Sequence, residues 1–250
     1  MHNLNDLAIK TDDGVISLTN HNTLTSDITF EKVEAYFKNV EMALIEKIQE
    51  KSDGFIFGSV AWLTSENIIN ALSHCINVQV LIQKEDFLRP DFGDTYQEKE
   101  RRKKYRNLYS RLRFEHDKFD CHSPICDLSV CGDPTVQPVR CIGNYNSDQK
   151  KAMPRAHNKF LVFCNQIKNS TDETRANSEK IYKPIAVWTG SFNFTVNADK
   201  SFENALYLED KSGENPIITA YLQEHHQLFA LSEPLDWEHH WTEPEYRIGT

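Results

Sequence analysis

Apolar and polar positions change period several times along the chain, and each change marks an element. In TFEKVEAYFKNVEMALIEKIQE (29–50), apolar side chains fall at Val33, Phe37, Val40, Ala43, Leu44, Ile45 and Ile48. That spacing predicts an amphipathic helix. GFIFGSVAWL (54–63) is β-prone instead, bounded by Gly54 on one side and by Thr64 and Ser65 on the other. SENIINALSHC then reads as a helix with Ser65 as candidate N-cap, and NVQVLIQ (77–83) as the next strand. Strand, helix and strand with short joins predict a parallel βαβ unit, because parallel neighbours need a crossover.

Residues 84–150 break this rhythm. EKERRKKYRNLYSRLRFEHDKF is strongly charged and helical in character, and the run after it is rich in Cys, Pro, Asp and Asn. The whole stretch reads as a loop-rich, cysteine-containing insertion with short strands, inside a single domain spanning 1–250. Farther on, the pattern gives a strand over 157–163, a polar loop over 165–180, and strands over IAVWTGSFNFT (185–195) and SFENALYLED (201–210). NPIITAYLQEHHQLFAL (215–231) returns to helical period, with Pro216 suited to a first turn. The expected fold class is α/β, a mixed, largely parallel sheet flanked by helices.

With 39% hydrophobic and 26% charged residues, the chain has the composition of a globular protein. Its formal charge is −9, so binding a polyanion requires locally concentrated positive charge. One stretch qualifies. Lys99, Arg101, Arg102, Lys103, Lys104, Arg106, Arg111 and Arg113 are eight of its 28 Lys and Arg, with Tyr105 and Tyr109 interleaved. They are candidate phosphate contacts; a solvated helix face balanced by acids accounts for them equally well. The N-terminus lacks a basic segment followed by an apolar one, and no apolar run is long enough to span a bilayer. A cytoplasmic protein with no membrane partner is expected, its six cysteines being thiols or metal ligands rather than disulfides. Cys121, Cys126, Cys131 and Cys141, with His116 and His122 nearby, form a candidate zinc set. Their spacing lacks the tight Cys-x2-Cys knuckle, and small buried side chains are the simpler reading. Adjacent His225–His226 and His239–His240 are read as surface residues, and Trp62 either lines a cleft or packs in the core.

The chemistry concentrates in the C-terminal half. Alternation along a strand puts His157 and Lys159 on one face, and Ser191 and Asn193 on one face with Phe192 and Phe194 on the other. Glu203 comes on the next apparent strand. A lone His-x-Lys is also what a strand end with a snorkelling lysine looks like. If the strands lie side by side, however, the five polar residues converge. Lys159 supplies charge, Ser191 and Asn193 supply hydrogen bonds, and a neutral imidazole is a nucleophile near neutral pH.

His157-Asn158-Lys159 followed by Gly190-Ser191-Phe192-Asn193 resembles the phospholipase D superfamily, and GSFNFT looks especially like its small bacterial endonucleases. The likeness covers about 28–83 and 154–231 and leaves the insertion out. It departs at Cys164, where the family has an aspartate. The resemblance implies a phospholipase D-like fold, with His157 attacking phosphorus to form a phosphohistidine and Glu203 accepting from the other ring nitrogen. Because the chain holds one motif, it also implies a homodimer that brings two copies of His157 and Lys159 together, with no metal or other cofactor required. DNA is the favoured substrate. The alternatives are a lipid phosphodiesterase, or a non-catalytic nucleic-acid-binding module, which Cys164 supports. A regulatory protein partner is a further expectation.

Overall fold

The computed structural model describes residues 8–11, 14–17, 29–88, 95–114, 118–122, 127–131, 137–143, 155–166 and 182–238. In chain order the elements are β1 (Ala8–Thr11), β2 (Gly14–Ser17), β3 (Lys32–Tyr36), α1 (Val40–Glu50), β4 (Phe55–Val60), α2 (Glu66–Ser73), β5 (Asn77–Gln83) and α3 (Tyr96–Tyr109). There follow β6 (Lys118–His122), β7 (Asp127–Cys131), β8 (Val139–Ile142), β9 (Lys159–Gln166), β10 (Tyr182–Gly190), β11 (Ala205–Glu209), α4 (Pro216–Ala230) and β12 (Glu233–Pro234). One eight-stranded sheet, ordered β12-β8-β5-β4-β9-β10-β11-β3, organises the molecule; β1–β2 and β6–β7 are separate two-stranded ribbons.

The βαβ unit forms as its pattern predicts, with β4 and β5 parallel across α2. Ser65 caps α2 by accepting from Ile68 N at 3.3 Å, a contact worth about 1 kcal/mol. Asn215 caps α4 in the same way, ahead of Pro216. The sheet is not largely parallel, however. Among the described residues the parallel strand pairings are β5 with β4 and β5 with β8; the other strand pairings in the sheet are antiparallel. A crossover helix makes the first parallel pair, whereas β9, β10 and β11 follow one another as antiparallel neighbours and β9 returns against β4.

The helix expected over 29–50 is also corrected. Lys32–Tyr36 is an edge strand paired with β11, and α1 begins only at Val40. Asn39 separates the two in a left-handed conformation, φ 54°. The inward residues are polar-tipped, which hid the strand. Glu34 pairs with buried Lys47 at 2.9 Å, and Tyr36 stacks on Trp188, while Val33 and Phe37 are 58% and 70% exposed.

Each face of the sheet carries a core. One, under α1, α2 and α3, gathers Leu44, Ile48, Ile68, Leu72, Tyr109, Trp188 and Tyr207. The other, under α4, gathers Phe55, Phe57, Val162, Ile218, Leu222 and Phe229. Burying each such side chain contributes about 1.5–3 kcal/mol. His225 and His226 lie in this second core, not on the surface: α4 packs against the sheet and both imidazoles are buried. His239 and His240 fall outside the described residues. Residues 84–150 supply α3, whose Tyr105, Leu108 and Tyr109 are buried, and β8 of the main sheet. The 165–180 loop lies almost wholly outside the described residues. Among those described, no helix is long and apolar enough to cross a membrane.

Candidate active site

The site is built where β4 ends and β9 begins. Val60 is registered opposite Lys159, and Ala61 N donates to Asn158 O at 2.9 Å. Lys159 is therefore the first residue of β9, and His157 precedes the strand rather than lying on it. Likewise β10 ends at Gly190, so Ser191 and Asn193 sit in the following bend and not on a strand face. Two buried rings, Phe192 and Phe194, hold that bend down, and Phe194 O accepts from Thr64 N and Ser65 N, both at 2.8 Å. The motif loop is thereby pinned to the end of β4.

Gly190 lets the next segment approach. A Cβ there would stand 2.2 Å from Asn204 O. Backbone contact then continues, with Ser191 N donating to Asn204 O and Asn204 N to Ser191 Oγ, both at 3.0 Å. Ser191 Oγ in turn donates to the Glu203 carboxylate. Among the described residues Glu203 makes no hydrogen bond to His157; it bears instead on Lys159, whose charge it favours.

Lys159 Nζ lies 3.1 Å from Nδ1 and 3.2 Å from Nε2 of His157, and 2.8 Å from the His157 carbonyl. One ammonium so placed faces both nitrogens at once. His157 is open to solvent, yet partial burial, then the charges of Lys159 and Arg155, hold its pKa below the ordinary imidazole value. The ring is accordingly neutral at neutral pH. Burial also lowers the Lys159 pKa, against the opposing charge of Glu203. Asn193 Oδ1 is buried with no hydrogen-bond partner among the described residues.

The structure thus brings His157, Lys159, Ser191 and Glu203 together, with Asn193 on the same bend. It adds residues that pattern reading passed over. Arg155 ion-pairs with Glu85 at 3.5 Å, and Glu85 also accepts from Trp62 Nε1 at 3.0 Å. Trp62 meets the His157 ring edge-on at 6.4 Å between centroids, so it lines the site. Arg155 stands two positions before His157, where alternation could have found it; Glu85, at the start of the insertion, carried no signal. Burial raises the Glu224 pKa from α4, opposed by the Asn158 side chain.

The basic stretch is partly neutralised. Lys104 pairs with Glu66, Arg106 with Glu238 at 3.1 Å, and Arg101 lies over the Phe87 ring at 4.5 Å. Arg102 acts on Glu98 by charge. Lys103 and Arg111 line a surface cleft of about 310 Å³ with Glu66 and Glu100. Arg113 O accepts from Val78 N at the start of β5, the sheet end remote from Lys159. Of the candidate zinc set, Cys141 is buried in β8, its thiol directed at the carbonyls of Glu233 and Pro234. Cys121 and Cys131 lie on β6 and β7, while Cys126 and His116 fall outside the described residues. Among the described residues no group of three or more His, Cys, Asp or Glu is placed to hold a metal. Cys164 is buried in β9, and burial raises its thiol pKa well above the usual value.

No family model matches the chain. An uncharacterized protein of Acanthamoeba polyphaga mimivirus is 27% identical over 222 residues, 85% of this chain and 70% of that protein. Among solved structures, Nuc of Salmonella typhimurium, a phospholipase D family member, aligns over 81% of this chain and 96% of its own at TM-score 0.46 and 13% identity. NucT from Helicobacter pylori aligns over 80% of this chain and 97% of its own at TM-score 0.45 and 11% identity.

Proposed function

We propose that this chain is a metal-independent phosphodiesterase of the phospholipase D superfamily, most simply a cytoplasmic nuclease acting on DNA. The observation that carries the reading is the His157 ring within 3.2 Å of the Lys159 ammonium, flanked by the Ser191–Glu203 pair. A nucleophile and a fixed positive charge at one point are what an anionic diester requires. In this reaction the Lys159 ammonium binds the non-bridging oxygens. A His157 ring nitrogen attacks phosphorus, the P–O bond to the leaving oxygen breaks, and that oxygen takes a proton from a second, protonated imidazole. Water then attacks the phosphohistidine, gives up a proton to that second imidazole, and releases a phosphomonoester and the free ring. A second copy of the chain, related by a two-fold axis, supplies the second His157.

The test is incubation with plasmid, single-stranded DNA, RNA and phosphatidylcholine in EDTA, with His157→Ala in parallel and light scattering to give the mass. The expected result is cleavage of nucleic acid by a dimer in EDTA, reduced at least a hundredfold in the variant. Cleavage retained by His157→Ala would remove the nucleophile from this account. Cleavage of the lipid alone would move the activity to the lipid class.

A further inference from the structure

Phe202 stands immediately before Glu203 with its side chain fully exposed, at 107% of the reference area. The backbone on both sides of it is fixed. Ser201 N donates to Ala198 O and Ser201 Oγ to Asn197 O, both at 3.0 Å. On the other side Glu203 accepts from Ser191, and Asn204 N donates to Ser191 Oγ at 3.0 Å. The ring is therefore held out into solvent at the rim of the site by a loop tied to the site itself.

A second aromatic occupies the opposite flank. Trp62 follows β4, His157 and Lys159 open β9, Ser191 follows β10, and Phe202 precedes β11; these four strands are consecutive neighbours. Trp62 and Phe202 thus flank the imidazole–ammonium pair from the outer two of these four strands, β4 and β11, whose axes are about 14 Å apart. The Trp62 indole is fixed by its N–H bond to Glu85.

Among the described residues much of the positive charge around the site is paired, with Lys200 exposed beside it. Arg155 is paired with Glu85, Glu203 stands by Lys159, and Lys104 and Arg106 on α3 are paired with Glu66 and Glu238. Binding to a duplex without sequence preference rests on neutralising phosphates, and pairing Arg155, Lys104 and Arg106 with carboxylates reduces what they contribute to it. Stacking on aromatic rings supplies affinity by another route, open to any base whose face is free. Bases inside a duplex have no free face.

We propose that the site takes single-stranded nucleic acid, with a base next to the scissile phosphate stacked on Phe202 and the strand passing Trp62 on the other flank. This deepens the nuclease reading and rests on it. The other occupant that would cover Phe202 is a second copy of this chain, and the experiment distinguishes the two.

Fluorescence anisotropy on the full chain carrying His157→Ala reads the affinity for labelled oligo(dT) and for a duplex of equal length. Phe202→Ala and Phe202→Trp are then added to that background, with light scattering on each. Phe202→Ala should lower the single-strand to duplex affinity ratio by about five- to a hundredfold, and Phe202→Trp should restore it, the mass being the same throughout. An unmoved ratio overturns the proposal. So does a loss of mass in Phe202→Ala, which would assign the ring to contact between copies. Wild-type cleavage is measured separately: cleavage with an unmoved ratio sinks this inference alone, and absence of cleavage sinks the nuclease reading.

Discussion

In the proposed reaction Lys159 has to stay charged while its ammonium is withdrawn from water. Burial lowers its pKa and the Glu203 carboxylate opposes that loss. Replacing Glu203 by Gln removes the opposing charge, so the Lys159 pKa falls further and the cationic form is lost at lower pH. The expected outcome is an alkaline limb of the pH–rate profile displaced downward in Glu203→Gln; an alkaline limb that stays where it was would deny Glu203 this influence. His157 carries the opposite requirement. Its lowered pKa keeps the ring neutral, so the nucleophilic form persists below the ordinary value of about 6.5.

Among the elements, the junction of β10 and β11 fixes the geometry, through one residue with no side chain. A Cβ on Gly190 would meet Asn204 O at 2.2 Å and the Ala205 Cα at 2.7 Å, and backbone atoms in a paired strand cannot step aside. Gly190→Ala should cost about 1–3 kcal/mol in urea unfolding and reduce turnover, because parting the segments separates Ser191 from Glu203. A variant within about 0.5 kcal/mol of its parent would contradict this account. The same junction shows what was legible in the sequence. Gly190, Ser191, His157 and Lys159 could be picked out as a set because each is a residue type tied to one task. The elements carrying them were less legible: alternation put His157 and Ser191 on strands, whereas both lie just beyond strand ends. The parallel β4–α2–β5 unit could be read because its apolar runs and its Ser65 cap are local signals. β3 could not, because its half-buried side chains are Glu34 and Tyr36, and their partners Lys47 and Trp188 are unknowable from the strand alone. The antiparallel majority of the sheet is likewise a long-range fact, set by how β9 returns against β4.

For the whole molecule, acid bears on the fold through the helix that covers one core. His225 is buried under α4, its Nδ1 3.2 Å from Nδ1 of His226, whose Nε2 lies 3.0 Å from the Tyr182 hydroxyl. Burial first, then the neighbouring His226, holds the His225 pKa well below the ordinary value. The folded chain therefore binds fewer protons there than the unfolded chain. Stability is full above the unfolded pKa of about 6.5 and is lost as pH falls below it. The melting temperature should drop between about pH 8 and pH 5.5, and His225→Phe should flatten that drop whatever it does to stability at pH 8. An equally steep decline in the variant would shift the cause to other groups.

The pairing of β3 with β11 has a consequence for how the protein comes off the ribosome. Residues 32–36 are translated early, yet their partner is 205–209, and Lys47 rests over the ring of Tyr207 at 4.6 Å. Until that distant segment emerges, Tyr36 has no Trp188 to stack on and the strand has no neighbour at all. Closing so long a loop is slow, so β3 must wait, with its edge open, for the residues that also complete the rim of the candidate site.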